Sequence, residues 1–233
     1  FRAMSFRSAI YLVMSPRPQV GRTLVARLLL DFFLFNAREA EAFDLNDEGE
    51  LPRCFPAHAE HASIAGIKEQ MALFDRLIAG DGTNRIVDVG PLALRPFLDV
   101  LRDTGFALEA RERRIAPVVL FVASDDATSR RMYDRLVREA LGLIVVPVLN
   151  EMIGVPRERY PASTATVRLP ALVPGLRPYI APPFTFSGPR ITTVPMTVGL
   201  ELQRWMRRIF VEFRELDLRI LLADLQQRLR NPA

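Results

Sequence analysis

From Ala116 to Ala123 the chain reads Ala-Pro-Val-Val-Leu-Phe-Val-Ala, an apolar run with no alternation at all. A strand that shows one face to water alternates between polar and apolar residues. One without a polar face must be covered on both sides, as inner strands of parallel sheets are. Ile10 to Met14 and Leu143 to Leu149 have the same texture, Arg85 to Pro91 reads as a strand carrying Asp88 near its end, and Ala42 to Asn46 as a shorter one. Between them lie helical spacings. Thr23 to Phe35 is apolar nearly all round, Ile64 to Ala79 places Ile67, Met71, Phe74 and Ile78 on one stripe, and Leu94 to Thr104 and Arg130 to Leu141 follow. Strands alternating with helices predict an α/β fold, a doubly wound and mainly parallel sheet with helices on both faces. With 233 residues, 49% of them apolar, a single large core is affordable. Residues 4–185 are expected to form the α/β domain. Residues 186–233 are expected to form a linker and a C-terminal helical appendage.

In such a sheet ligands sit beyond the carboxyl ends of the strands. Gly21, Asp44, Asp88, Ser124 and Asn150 all fall there. The stretch Met14-Ser15-Pro16-Arg17-Pro18-Gln19-Val20-Gly21-Arg22-Thr23 lies between a strand and a helix, the layout of a phosphate-binding P-loop. The motif Gly-x-x-x-x-Gly-Lys-Thr would place glycine at Pro16 and lysine at Arg22. A P-loop site needs amides and a cation around the phosphates, a hydroxyl for Mg²⁺, a carboxylate behind the metal, and a group to orient the attacking water. Val20, Gly21, Arg22 and Thr23 are the candidate phosphate cradle, Thr23 and Asp88 the candidate metal residues, and Asp44 the candidate for orienting water. Plainer roles stay open for three of these strand-end residues. Asp88 and Asp44 could each brace a loop or cap a helix, and Asn150 could be a turn-forming residue.

The order of these elements resembles the ParA/MinD family of deviant-Walker ATPases, of the SIMIBI class, including its TraL-like conjugal-transfer branch. The family loop Lys-Gly-Gly-Val-Gly-Lys-Thr aligns with Arg17 to Thr23, its Asp-x-Asp stretch with Asp44-Leu45-Asn46, and its Ile-Ile-Asp-x-x-Pro with Val87 to Pro91, one residue tighter. Its strand-end Asn, which contacts the base, is similar to Asn150. The resemblance implies a P-loop NTPase type of fold binding ATP or ADP with magnesium. It also implies a homodimer in which Arg17 holds the position that reaches the partner's phosphates, a catalytic position alongside Asp44. Both loop lysines are arginine here, a change that is not conservative. Pro18 has no N–H, and Gln19 has a Cβ, where the family has two glycines. The Walker A loop is thus degenerate, and three outcomes follow from it: binding with slow or absent hydrolysis, loss of binding altogether, or retained ATPase activity. The leading expectation is a regulatory or positioning protein acting through dimerisation or a protein partner, with catalysis weak or lost. The alternatives are an active ATPase partitioning DNA or another cargo, and a ligand-free interaction scaffold.

Basic residues number 31 against 27 acidic ones, and all but Lys68 are arginine; a net charge of +4 permits contact with DNA without requiring it. Uncharged runs such as Pro178 to Pro189 are too short and proline-rich to span a bilayer, so the expected location is the cytoplasm, without membrane association. The single cysteine, Cys54, fits that expectation. His58 and His61 stand three apart beside Cys54 and Glu60, but two histidines do not close a zinc site. After a proline-rich strap over residues 170–189, Leu202, Trp205, Ile209, Phe213, Leu216 and Ile220 predict a long amphipathic helix that packs on the domain or on a second copy.

Overall fold

The computed structural model describes residues 6–47, 49–139, 142–157, 159–162, 164–188 and 194–230, with residues 227–230 described through their backbone only. Its strands are β1 (Ser8–Met14), β2 (Ala40–Asp44), β3 (Ala59–His61), β4 (Asn84–Val89), β5 (Ile115–Val122), β6 (Ile144–Asn150) and β7 (Val167–Leu169). They form one seven-stranded sheet in the order β3-β2-β4-β1-β5-β6-β7, and each pairing is parallel. The helices are α1 (Arg22–Phe35), α2 (Leu51–Cys54), α3 (Ile67–Leu77), α4 (Leu94–Asp103), α5 (Phe106–Glu112), α6 (Ala127–Glu139) and α7 (Met196–Arg230). The doubly wound α/β architecture expected from the apolar runs is therefore present, with every strand parallel rather than most of them.

Two apolar cores lie on either side of the sheet, and period-2 alternation assigns each strand residue to one of them. Tyr11, Val13, Ile86, Val118, Leu120 and Val148 face α1, α2 and α7, while Ile10, Leu12, Phe43, Val87, Val119 and Phe121 face α3 to α6. The same parity settles the polar strand ends. Asp44 follows Ala42, Asp88 follows Ile86 and Asn150 follows Val148, so all three belong to the α1 side of the sheet.

Two short elements add to the expected ones, and the face of α3 needs correction. The stretch from Asp47 to Pro56, which has no strand or helix pattern, contains α2, and the edge strand β3 follows it. At three residues, two of them exposed and polar, β3 is too short to show a strand pattern. His58 stands in the turn before β3 and His61 at its end; among the described residues no group of three or more His, Cys, Asp or Glu is placed to hold a metal. On α3 the buried residues are Leu73, Phe74 and Leu77, whereas Ile67 and Met71 are 75% and 60% exposed. The rings of Phe97 and Phe106, both against Phe74, decide which face of α3 turns inward.

The strap carries a 3₁₀ turn over Pro174–Ile180, and residues 189–193, between it and α7, lie outside the described residues, as does residue 4. All six predicted stripe residues of α7 are buried. The Trp205 indole donates to Pro170 O at 2.7 Å, and Asp217 accepts from the Tyr11 hydroxyl at 2.5 Å, joining the helix to β1 across 206 residues. Among the described residues no helix is long and apolar enough to cross a membrane.

Candidate phosphate-binding loop and its carboxylates

β1 ends at Met14 in the middle of the sheet, and the next seven residues turn the chain into α1. Ser15 is fully buried, and its hydroxyl accepts the Arg17 N–H at 3.3 Å. Gln19 takes φ 58° and Gly21 φ 89°, both left-handed. Glycine adopts that region freely, whereas a residue with a Cβ is strained in it, so the loop carries strain at Gln19. At Gly21 there is also no room, since a Cβ would overlap Asn150 Nδ2. Asn150, itself buried, donates to Val20 O at 2.8 Å and accepts from Met152 N at 3.1 Å. The end of β6 thus braces the loop.

No side chain caps α1. Its first-turn amides, those of Arg22, Thr23 and Leu24, lie too early in the helix to reach an intrahelical acceptor, and the helix dipole adds positive potential there. An uncapped helix start behind a left-handed glycine suits an anion.

Below the loop lies a connected polar network. Arg22 Nε donates to Asp88 Oδ1 at 2.5 Å and its Nη2 to Asn46 Oδ1 at 2.7 Å, while the Thr23 hydroxyl donates to Asp88 Oδ2 at 2.6 Å. Asn46 Nδ2 donates to Asp44 Oδ1 at 2.6 Å and lies 3.1 Å from Asp88 Oδ2. Asp44 also accepts from the amides of Asn46 (3.0 Å) and Leu51 (3.2 Å). Both carboxylates are buried, Asp88 completely. Burial pushes the Asp88 carboxyl above its usual range, and the nearby Asp44 charge adds to this; the Arg22 charge and the Thr23 hydroxyl pull the other way.

Arg17 lies away from this network. Its guanidinium is 46% exposed and pairs with Asp126 at 3.0 Å, at the start of α6, where Asp126 also accepts the amides of Thr128 and Ser129. Val20, Gly21, Arg22, Thr23, Asp44, Asp88 and Asn150 are therefore brought together, and Arg17 is turned to the neighbouring loop. The residue that the sequence underrated is Asn46, the hub between both carboxylates and Arg22. Its signal was the spacing Asp44-Leu45-Asn46 together with Gly90, where a Cβ would overlap Asn46 Oδ1. Beside Asn46, the loops after β2, β3 and β4 enclose a cleft of about 570 Å³ whose polar lining includes Asp47, His61 and Ser63.

The loop and α1 start suit phosphate oxygens. A magnesium ion fits the same site poorly, because Arg22 already stands against the carboxylate that would face the metal.

No protein-family model matches the chain, and no curated protein matches it. Among solved structures, one similar chain is the nucleotide-binding protein from Archaeoglobus fulgidus, determined in complex with ADP and with cobalt present. The two are 12% identical over 63% of this chain and 68% of that one, with a TM-score of 0.38.

Proposed function

We propose that this chain is a ParA/MinD-like regulatory or positioning protein that binds ATP, ADP or a related phosphate ligand at the Gly21 loop and hydrolyses it slowly or not at all. The amides of Gly21, Arg22 and Thr23 hold the phosphates, and the ligand's role is to set the loop's conformation for a second copy or a protein partner. When bound, a nucleotide supplies the anhydride whose hydrolysis an active relative would catalyse. The observation that carries the reading is the state of Asp44. The three hydrogen bonds its carboxylate accepts all come from the segment just after it, from Asn46 N, Asn46 Nδ2 and Leu51 N at the start of α2, and it is 1% exposed. A carboxylate used in this way is not disposed to orient an attacking water.

Calorimetry with ATP and ADP, paired with a phosphate-release assay, tests the proposal. Binding is expected in the micromolar range with turnover below about 10⁻³ s⁻¹, comparable to unassisted GTPases and far from the roughly 1–100 s⁻¹ of kinases. Brisk turnover, or turnover stimulated by DNA and abolished by Asp44→Ala, would establish a cargo-partitioning ATPase instead. The hydrogen bonds that already join Arg22, Asp88 and Asn46 favour one competing reading, a ligand-free scaffold, and absence of any binding would select it.

A further inference from the structure

We infer that Arg22 occupies the place of a divalent cation, so that this loop takes a phosphate anhydride such as ADP without magnesium. The inference rests on the nucleotide reading above and adds how the negative charge is met. Asp88 is fully buried and both its oxygens are engaged, Oδ1 by Arg22 Nε at 2.5 Å and Oδ2 by the Thr23 hydroxyl at 2.6 Å. Magnesium demands near-octahedral oxygen ligands at about 2.0–2.1 Å and keeps several of its waters. Here the carboxylate already has a counter-ion, and a second cation beside Arg22 would meet like charge in a poorly hydrated site. A lysine could relieve that conflict by losing its proton. Arginine cannot, so the charge at this position is permanent.

The guanidinium also has donors to spare. Of about five N–H groups on an arginine, two are used, by Asp88 and Asn46, and the others have no partner among the described residues. Arg22 is moreover the first residue of α1, whose opening amides face no side-chain cap. A planar fork with one edge on a buried carboxylate and free N–H groups remaining can bridge that carboxylate to a phosphate, which is the bridging role a metal ion plays elsewhere. Pro18 has removed one amide from the loop, and the free donors of Arg22 make up for that loss.

Titration calorimetry of the full chain with ADP, once in excess EDTA and once in excess MgCl₂, reads the inference directly. Binding in EDTA is expected within about threefold of binding in magnesium, and Arg22→Lys is expected to weaken binding in EDTA by about tenfold or more while making it rise with magnesium. Thermal melts show whether the variant folds, and the wild-type comparison does not depend on it. ADP binding that requires magnesium overturns this inference and leaves the nucleotide reading standing. Absence of binding in both buffers overturns both. A folded Arg22→Lys that binds ADP in EDTA as tightly as wild type also overturns it, because the guanidinium would then not be the cation that matters.

Discussion

Gly21 follows β1 and Asn150 ends β6, two places away in the sheet, yet each limits the other. Gly21→Ala is expected to lower stability by about 1–2 kcal/mol from its left-handed backbone alone, and further through overlap with the Asn150 amide. In Gly21→Ala with Asn150→Ala the overlap disappears and the backbone cost stays, so the pair should lose less than the sum of the singles in urea unfolding. Strict additivity would show that the two side chains do not meet. Asp126 offers a pH test. Partial burial works against its ionised form, but hydrogen bonds from Arg17, the Ser124 hydroxyl and the Ser129 amide outweigh burial and hold its carboxyl well below the usual range. The lowered value means its stabilisation is fully present above the unfolded carboxylate range and is lost as pH falls toward the folded value. Asp126→Ala should cost about 1 kcal/mol at neutral pH as a lost cap of α6, and that difference should shrink in acid; denaturant melts at the two pH values measure it. The Gly21 loop was visible as a short motif, because a left-handed turn before a helix start is made by neighbours in sequence.

Helix α1 connects the loop to the strap through two buried charges. Arg27 Nη2 donates to Ile180 O at 2.8 Å and to Phe184 O at 2.7 Å, and Asp31 accepts from the amides of Phe186 and Ser187 and from the Ser187 hydroxyl. Burial raises the Asp31 carboxyl against the pull of these hydrogen bonds and of Arg27. Arg27→Met removes the cation, leaving two carbonyls without their donor and Asp31 without the positive charge that favours its ionised form. It should destabilise the protein by about 3 kcal/mol and speed hydrogen exchange at the Phe186 and Ser187 amides. A variant as stable as wild type would mean that the strap holds without this clamp. The apolar texture of α1 marked it as enclosed, but Arg27 and Asp31 looked like ordinary polar positions in it. Their partners lie some 150 residues onward in a stretch without periodicity. The face of α3 was misread for a related reason: its repeat offered two stripes, and aromatic rings on α4 and α5 selected one.

Across the whole molecule, α7 closes the core that α1 begins, with Phe210 and Phe213 against Phe32. Phe213→Ala should cost about 3–5 kcal/mol. Trp205, the sole tryptophan, is buried on the same helix, so its fluorescence reports on that core. Unfolding followed by Trp205 emission and by far-UV circular dichroism should coincide; an earlier fluorescence transition would show α7 leaving by itself. By itself the sequence determined the parallel strands, since a run with no polar face can only be covered on both sides. It determined the edge where Gly21, Asp44, Asp88 and Asn150 gather, since parallel strands share one carboxyl end. It also determined the buried stripe of α7, since helical spacing is local. The tertiary structure alone decided what those site residues do for one another. Arg22 is held on Asp88 and Asn46, and Asp44 serves Asn46 and Leu51. A long or buried polar side chain takes the rotamer that satisfies its hydrogen bonds. For Arg22 those bonds come from Asn46 and Asp88, 24 and 66 residues away, which no local pattern records.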